Sequence, residues 1–104
     1  MGPSSPHRLR INGPGGVERF VELVGTISIG RTADNGIVLD DPQVSRCHAM
    51  LLVQDGGVLL LDMESSNGTL VNGTPALPDE PVRLADGDVV AIGRMLLRYE
   101  TSFD

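Results

Sequence analysis

The sequence predicts an all-β fold, a β-sandwich of two mainly antiparallel sheets built from about 10–11 short strands. Three observations carry that prediction. The 13 glycines and 7 prolines make up about a fifth of the 104 residues, more turn-forming residue than a helical bundle tolerates. Asx-Gly pairs recur at Asn12-Gly13, Asn35-Gly36, Asp55-Gly56, Asn67-Gly68, Asn72-Gly73 and Asp86-Gly87, and such pairs favour tight turns with positive φ between strands. Between them lie short apolar runs of strand length, and no stretch free of Pro and Gly exceeds about a dozen residues.

Residues 1–7 read as a flexible leader, and a single domain is expected over 8–100. Arg8–Asn12 alternates charged with apolar residues and stops at Asn12-Gly13. Gly13-Pro14-Gly15-Gly16 has no trailing Gly-Lys-Ser/Thr, so it is a connection to the second strand, Val17–Leu23, and not a phosphate loop. Thr26–Gly30 is the third strand and Ile37–Leu39 the fourth. His48–Gln54 and Val58–Met63 are nearly continuous apolar runs, as expected of strands at a sandwich centre. Thr69–Val71 sits between two Asn-Gly pairs, Val82–Leu84 and Val89–Ile92 flank Asp86-Gly87, and Met95–Glu100 precedes a tail at 101–104. Arg8, Arg10, Arg19, Arg83, Arg94 and Arg98 alternate with apolar residues and read as outward charges that discourage edge pairing.

Composition excludes several function classes. Cys47 is the one cysteine, so no internal disulfide or multi-cysteine zinc site can form. With only His7 and His48, most histidine metal clusters are excluded too, and no metal or cofactor is expected. There is no run of about 18 apolar residues, so no membrane span is expected. Met1–Leu9 has no secretory pattern, and the expected compartment is the cytoplasm. All 8 basic residues are arginine and the net charge is -6, which makes a poor non-specific partner for nucleic acid or anionic membrane. A local site in which one or two arginines hold a single anion stays open, and the planar guanidinium fork suits it.

Three segments concentrate the donors such a site needs. They are Gly30-Arg31, Ser45-Arg46-Cys47-His48, and Ser65-Ser66-Asn67-Gly68-Thr69 with Asn72-Gly73 behind it. Together they supply guanidinium, hydroxyls, amides and glycine-freed backbone N–H groups, and almost no carboxylate, an inventory that fits phosphate. In order and spacing, these blocks resemble the forkhead-associated (FHA) domain family over roughly residues 8–100. The resemblance implies an FHA/SMAD-like sandwich of eleven strands whose loops at one apex bind phosphothreonine peptides. It places Arg31, Ser45, Arg46 and Ser66 on the phosphate and Asn67 on the peptide backbone. It makes Gly30, His48, Gly68, Asn72 and Gly73 structural loop residues. Gln43, with its neighbours Val44 and Arg46, is the candidate reader of residues flanking the phosphothreonine. Asp34, Asp40 and Asp41 lie close in sequence and are expected to repel acidic flanks. The implied partner is a phosphothreonine-containing Ser/Thr-kinase substrate, in trans or within the same polypeptide.

Two other classes compete. One is a sandwich that binds an unmodified protein. The other is a small hydrolase using Ser45 and His48, which lacks a Gly-x-Ser-x-Gly elbow and has its histidine where a strand begins.

Overall fold

The computed structural model describes residues 5–54 and 56–101. Eleven strands form in chain order: β1 (Arg8–Asn12), β2 (Glu18–Glu22), β3 (Thr26–Gly30), β4 (Ile37–Val38), β5 (Ala49–Gln54), β6 (Gly57–Asp62), β7 (Thr69–Val71), β8 (Thr74–Pro75), β9 (Val82–Arg83), β10 (Val89–Ile92) and β11 (Met95–Glu100). They make two sheets, ordered β2-β1-β11-β10-β7-β8 and β4-β3-β5-β6-β9. Every pairing is antiparallel except β3 with β4. The all-β sandwich expected from the turn spacing is the fold observed.

The core lies between the sheets. Leu9 and Ile11 of β1, Leu97 and Tyr99 of β11 and Ile92 of β10 face Ile29 of β3, Leu51 of β5 and Leu60 of β6, all buried. Each such side chain contributes about 1.5–3 kcal/mol by leaving water. On the outer face of the first sheet, Arg8 and Arg10 pair with Glu100 at 2.8 and 3.0 Å and stack over the Phe20 ring.

The differences from the sequence reading are local. β8 was not expected: it is a two-residue strand containing Pro75, and proline is tolerated there because β8 is a sheet edge. Leu39 and Leu84 fall just outside strands yet remain buried. Ser5 and His7, assigned to a flexible leader, belong to the packed domain. His7 is buried with its Nδ1 2.6 Å from the Tyr99 hydroxyl, and Ser5 Oγ donates to Leu23 O at 2.6 Å. Residues 1–4 and 102–104 lie outside the described residues. Arg94 is in the β10–β11 turn instead of a strand, where its Nε lies 3.4 Å from Asp41 Oδ2.

The topology brings three connections to one end of the sandwich. These are β3–β4 (residues 31–36), β4–β5 (39–48) and β6–β7 (63–68). β3 is the shared support, pairing with β4 on one side and β5 on the other.

Candidate functional site

The β3–β4 loop is anchored where β3 ends. A side chain at Gly30 would place its Cβ 2.0 Å from Arg46 O, so only glycine lets the two loops approach this closely. Arg31 N–H then donates to Ser45 O at 3.0 Å, and Arg31 Nη1 donates to Val44 O at 3.0 Å. The guanidinium therefore lies over the β4–β5 loop. It uses one donor there and keeps others of its five for a ligand. Asn35 reinforces the contact, its Nδ2 reaching Arg46 O at 2.7 Å and Thr32 O at 3.0 Å. The Thr32 hydroxyl donates to the Asp34 carboxylate. That bond, with Asp34's own backbone N–H, holds the carboxyl below its usual range.

The β4–β5 loop is folded around a buried acid. Asp41 accepts from Gln43 N–H at 3.0 Å and from Arg94 N–H at 2.8 Å, and these bonds hold its carboxyl below the usual range. Asp41 was expected to confront the ligand's acidic flanks; it is 1% exposed and turned inward, so it acts as a structural anchor. Val44, a suggested flank reader, is buried in the core, which leaves Gln43 and Arg46 as the exposed members of that trio.

His48 ties two loops. Its Nδ1 accepts from Ser45 N–H at 3.0 Å, which assigns the proton to Nε2, and Nε2 donates to Gly68 O at 2.9 Å. The ring is wholly buried. Both nitrogens are engaged with backbone, so neither is placed to take a proton from Ser45 Oγ. The Ser45–His48 pair thus lacks the nucleophile–base hydrogen bond a hydrolase needs.

The β6–β7 loop hangs on Asp62, a residue the sequence reading did not single out. This buried carboxylate accepts from Ser65 N–H at 3.1 Å, Ser65 Oγ at 2.5 Å and Thr69 Oγ1 at 2.8 Å. The loop then reaches across. Ser66 N–H donates to Ser45 Oγ at 3.0 Å, and Asn67 Nδ2 donates to Gln43 O at 2.8 Å. Because Ser45 Oγ accepts there, its own proton is still available to donate outward. Asn72 and Gly73 stand apart from this cluster, forming the β7–β8 turn at φ 50° and 83°.

The structure thus brings Arg31, Ser45, Ser66 and Asn67 to one apex through direct loop-to-loop bonds. Arg46 contributes its carbonyl to the same scaffold. Its exposed side chain lines an adjoining open hollow with Ser28, Thr32, Asp34, Asn35 and Cys47. Gln43 lies alongside, its carbonyl held by Asn67. Among the described residues, no cluster of His, Cys, Asp or Glu could hold a metal ion, and no helix is long and apolar enough to cross a membrane.

Comparison with known proteins agrees with this architecture. Glycogen accumulation regulator GarA of Mycolicibacterium smegmatis is 43% identical over 89 residues, covering 86% of this chain and 54% of the relative. The chain therefore spans about half the length of that curated relative. The crystal structure of the FhaA FHA domain complexed with the intracellular domain of Rv3910 superposes with a TM-score of 0.80 at 34% identity, covering 90% of this chain and 99% of that one. A structure from a study of phosphothreonine-dependent FHA domain interactions also gives a TM-score of 0.80, at 32% identity over 93% of this chain and 99% of that one. The FHA domain family model matches residues 27–93, the span from β3 to the β10–β11 turn that holds all three apical loops, and the chain belongs to the FHA domain family.

Proposed function

We propose that this domain is a phosphothreonine-dependent binding module of Ser/Thr-kinase signalling, working in the cytoplasm and without catalytic activity of its own. The observation that carries the reading is the Ser66 N–H bond to Ser45 Oγ. It joins two loops, orients one hydroxyl with its proton uncommitted, and does so on the loop whose backbone also holds Arg31. Arg31 supplies the charged fork, and Ser45 and Ser66 supply hydroxyls. Arg46 adds positive charge from the neighbouring hollow. Asn67 presents its carboxamide oxygen to the peptide backbone. Gln43 is the exposed candidate for reading a flanking residue.

The energetics suit this ligand. Phosphothreonine carries about -1.5 to -2 charge near neutral pH. Each hydrogen bond to such a charge contributes roughly 1.5–3 kcal/mol, so three of them separate modified from unmodified peptide by several kcal/mol. The net charge of -6 does not oppose this strongly, since exposed charges beyond about 8 Å are screened at physiological salt. Burying the threonine methyl adds about 0.8 kcal/mol, a several-fold preference over phosphoserine. The regulatory naming of GarA and the phosphothreonine dependence named for the FHA structure support the assignment. The partner is a phosphorylated kinase substrate, either another protein or a phosphorylated segment of the same polypeptide.

Titration with free phosphothreonine, followed by amide NMR, tests the assignment. The expected outcome is movement of the Arg31, Ser45 and Ser66 amides ahead of those in β1 and β2. Movement confined to other surfaces overturns it.

A further inference from the structure

Four Asn-Gly pairs share the same local chemistry, yet the fold restrains them unequally. Asn72 is held on every side: its N–H bonds Val89 O at 2.8 Å, its Nδ2 bonds Asp88 Oδ1 at 2.9 Å, and its Oδ1 accepts from Val89 N–H at 2.9 Å. Asn35 has its N–H on Thr32 O and its Nδ2 among Thr32 O, Thr32 Oγ1 and Arg46 O. Asn12 is extended within β1, opposite Leu96 on one side and Glu18 on the other, and Gly13 is packed against the Met95 side chain. Asn67 is the least restrained of the four. Unlike Asn12 it lies outside any strand, and among the described residues its side chain has one hydrogen bond, at 2.8 Å to Gln43 O, against two at Asn72 and three at Asn35. A Cβ built on Gly68 would meet nothing within 4 Å, as at Gly73, whereas at Gly13 and Gly36 it would meet the Met95 and Ile27 side chains.

We propose that Asn67-Gly68 is a spontaneous deamidation site and that its conversion disarms the apex. The Gly68 backbone nitrogen attacks Asn67 Cγ, forming a C–N bond. The Cγ–Nδ2 bond breaks, and ammonia leaves with the proton lost by the Gly68 nitrogen. Water then opens the resulting five-membered imide at either carbonyl, giving aspartate or isoaspartate. The net change is amide plus water to carboxylic acid plus ammonia, with nothing oxidised or reduced. Glycine offers no Cβ to shield the attacking nitrogen. Cyclisation requires the carboxamide to turn onto the backbone nitrogen of the next residue, which breaks one hydrogen bond at Asn67 but two at Asn72 and three at Asn35, and disturbs strand pairing at Asn12.

The product damages the site in two ways. A carboxylate oxygen replaces the Nδ2 donor and faces the Gln43 carbonyl, acceptor against acceptor, so the tie between the β4–β5 and β6–β7 loops is lost. A negative charge also appears one residue from Ser66, where the proposed ligand is a dianion. The loss of binding rests on the proposed function; the order in which the four asparagines react does not.

The test is incubation of the folded protein at mildly alkaline pH, with peptide mapping by mass spectrometry at intervals, beside a sample kept in denaturant. In denaturant all four pairs should convert at similar rates. In the folded protein Asn67 should convert first, with Asn12, Asn35 and Asn72 protected. Aged protein and Asn67→Asp should both bind a phosphothreonine peptide about tenfold or more weakly than fresh wild type. Conversion of another pair as fast as Asn67, or survival of Asn67 in the folded protein, overturns the site. Unchanged peptide affinity of Asn67→Asp overturns the consequence. Fresh wild type that binds no phosphopeptide removes the proposed function and the binding consequence with it, while the mapping still decides the site.

Discussion

Asn67-Gly68 and Asn72-Gly73 are the same dipeptide on either flank of the short strand β7, and the molecule uses them for opposite purposes. At Asn72-Gly73 both residues adopt positive φ, which matches the two-residue turn that pairs Val71 with Thr74. The Asn72 side chain is fixed at both ends, its Nδ2 on Asp88 and its Oδ1 on Val89 N–H. At Asn67-Gly68 the carboxamide makes one bond among the described residues, from Nδ2 to Gln43 O in the β4–β5 loop, and its oxygen accepts none. The dipeptide specifies a turn; what the side chain does is decided by partners distant in sequence. One end of β7 therefore belongs to the fold and the other to the proposed site.

That contrast can be forced apart by mutation, and the largest effect should come from a residue serving both purposes. His48→Ala removes the two hydrogen bonds of a buried ring and leaves a cavity under the loops. It should cost about 3 kcal/mol of stability, read as a shift of the urea midpoint. An unchanged midpoint would show that the ring does not brace the apex. Arg31→Ala should cost at least about 2 kcal/mol of phosphopeptide affinity by calorimetry while melting near the wild-type temperature, because the side chain is exposed, makes one bond to the Val44 carbonyl, and has its proposed role toward the ligand. Asn72→Ala and Asn67→Ala should then separate the two turns. The first should lose about 1–2 kcal/mol of stability with affinity retained. The second should lose about 1 kcal/mol of affinity with stability nearly retained. If both variants lose the same property, the division of labour is wrong.

The smallest effect concerns pH. Asp41 has a carboxyl held below its usual range by the Gln43 and Arg94 N–H groups. A carboxylate with a depressed folded-state pKa stabilises the fold above its unfolded pKa of about 3.9, and that contribution disappears as pH falls through the lower folded value. The melting temperature of wild type should therefore fall more steeply below about pH 4 than that of Asp41→Asn. Parallel curves would mean that Asp41 contributes no acid sensitivity.

Most of the fold was legible because apolar runs and Asx-Gly turns report local structure. Arg8–Asn12, Thr26–Gly30, Thr69–Val71, Val89–Ile92 and Met95–Glu100 have the same limits in sequence and structure. β8 escaped notice because Thr74-Pro75 carries no apolar signal and owes its pairing to the preceding turn. The packing of Ser5 and His7 into the domain is not legible in the sequence, because the pairing of His7 with Tyr99 spans almost the whole chain. At the apex, the three polar blocks were readable as donors for an anion. The acids that support them were not. Asp41 and Asp62 look like ordinary surface carboxylates in sequence, and only the folded loops show them buried and saturated with N–H and O–H donors. Asp62 did leave one clue: an acid ending an apolar run, with Ser65 three residues on, is the pattern of a side chain capping its own loop.

The dependence on phosphate is tested most directly by calorimetric titration of one peptide in two forms, threonine and phosphothreonine, against wild type and Arg31→Ala. Wild type should bind the phosphorylated form and show no measurable heat with the other, and Arg31→Ala should lose most of that difference. Equal affinity of wild type for the two peptides would contradict a cradle built for a dianion and leave a sandwich that recognises its partner without the modification.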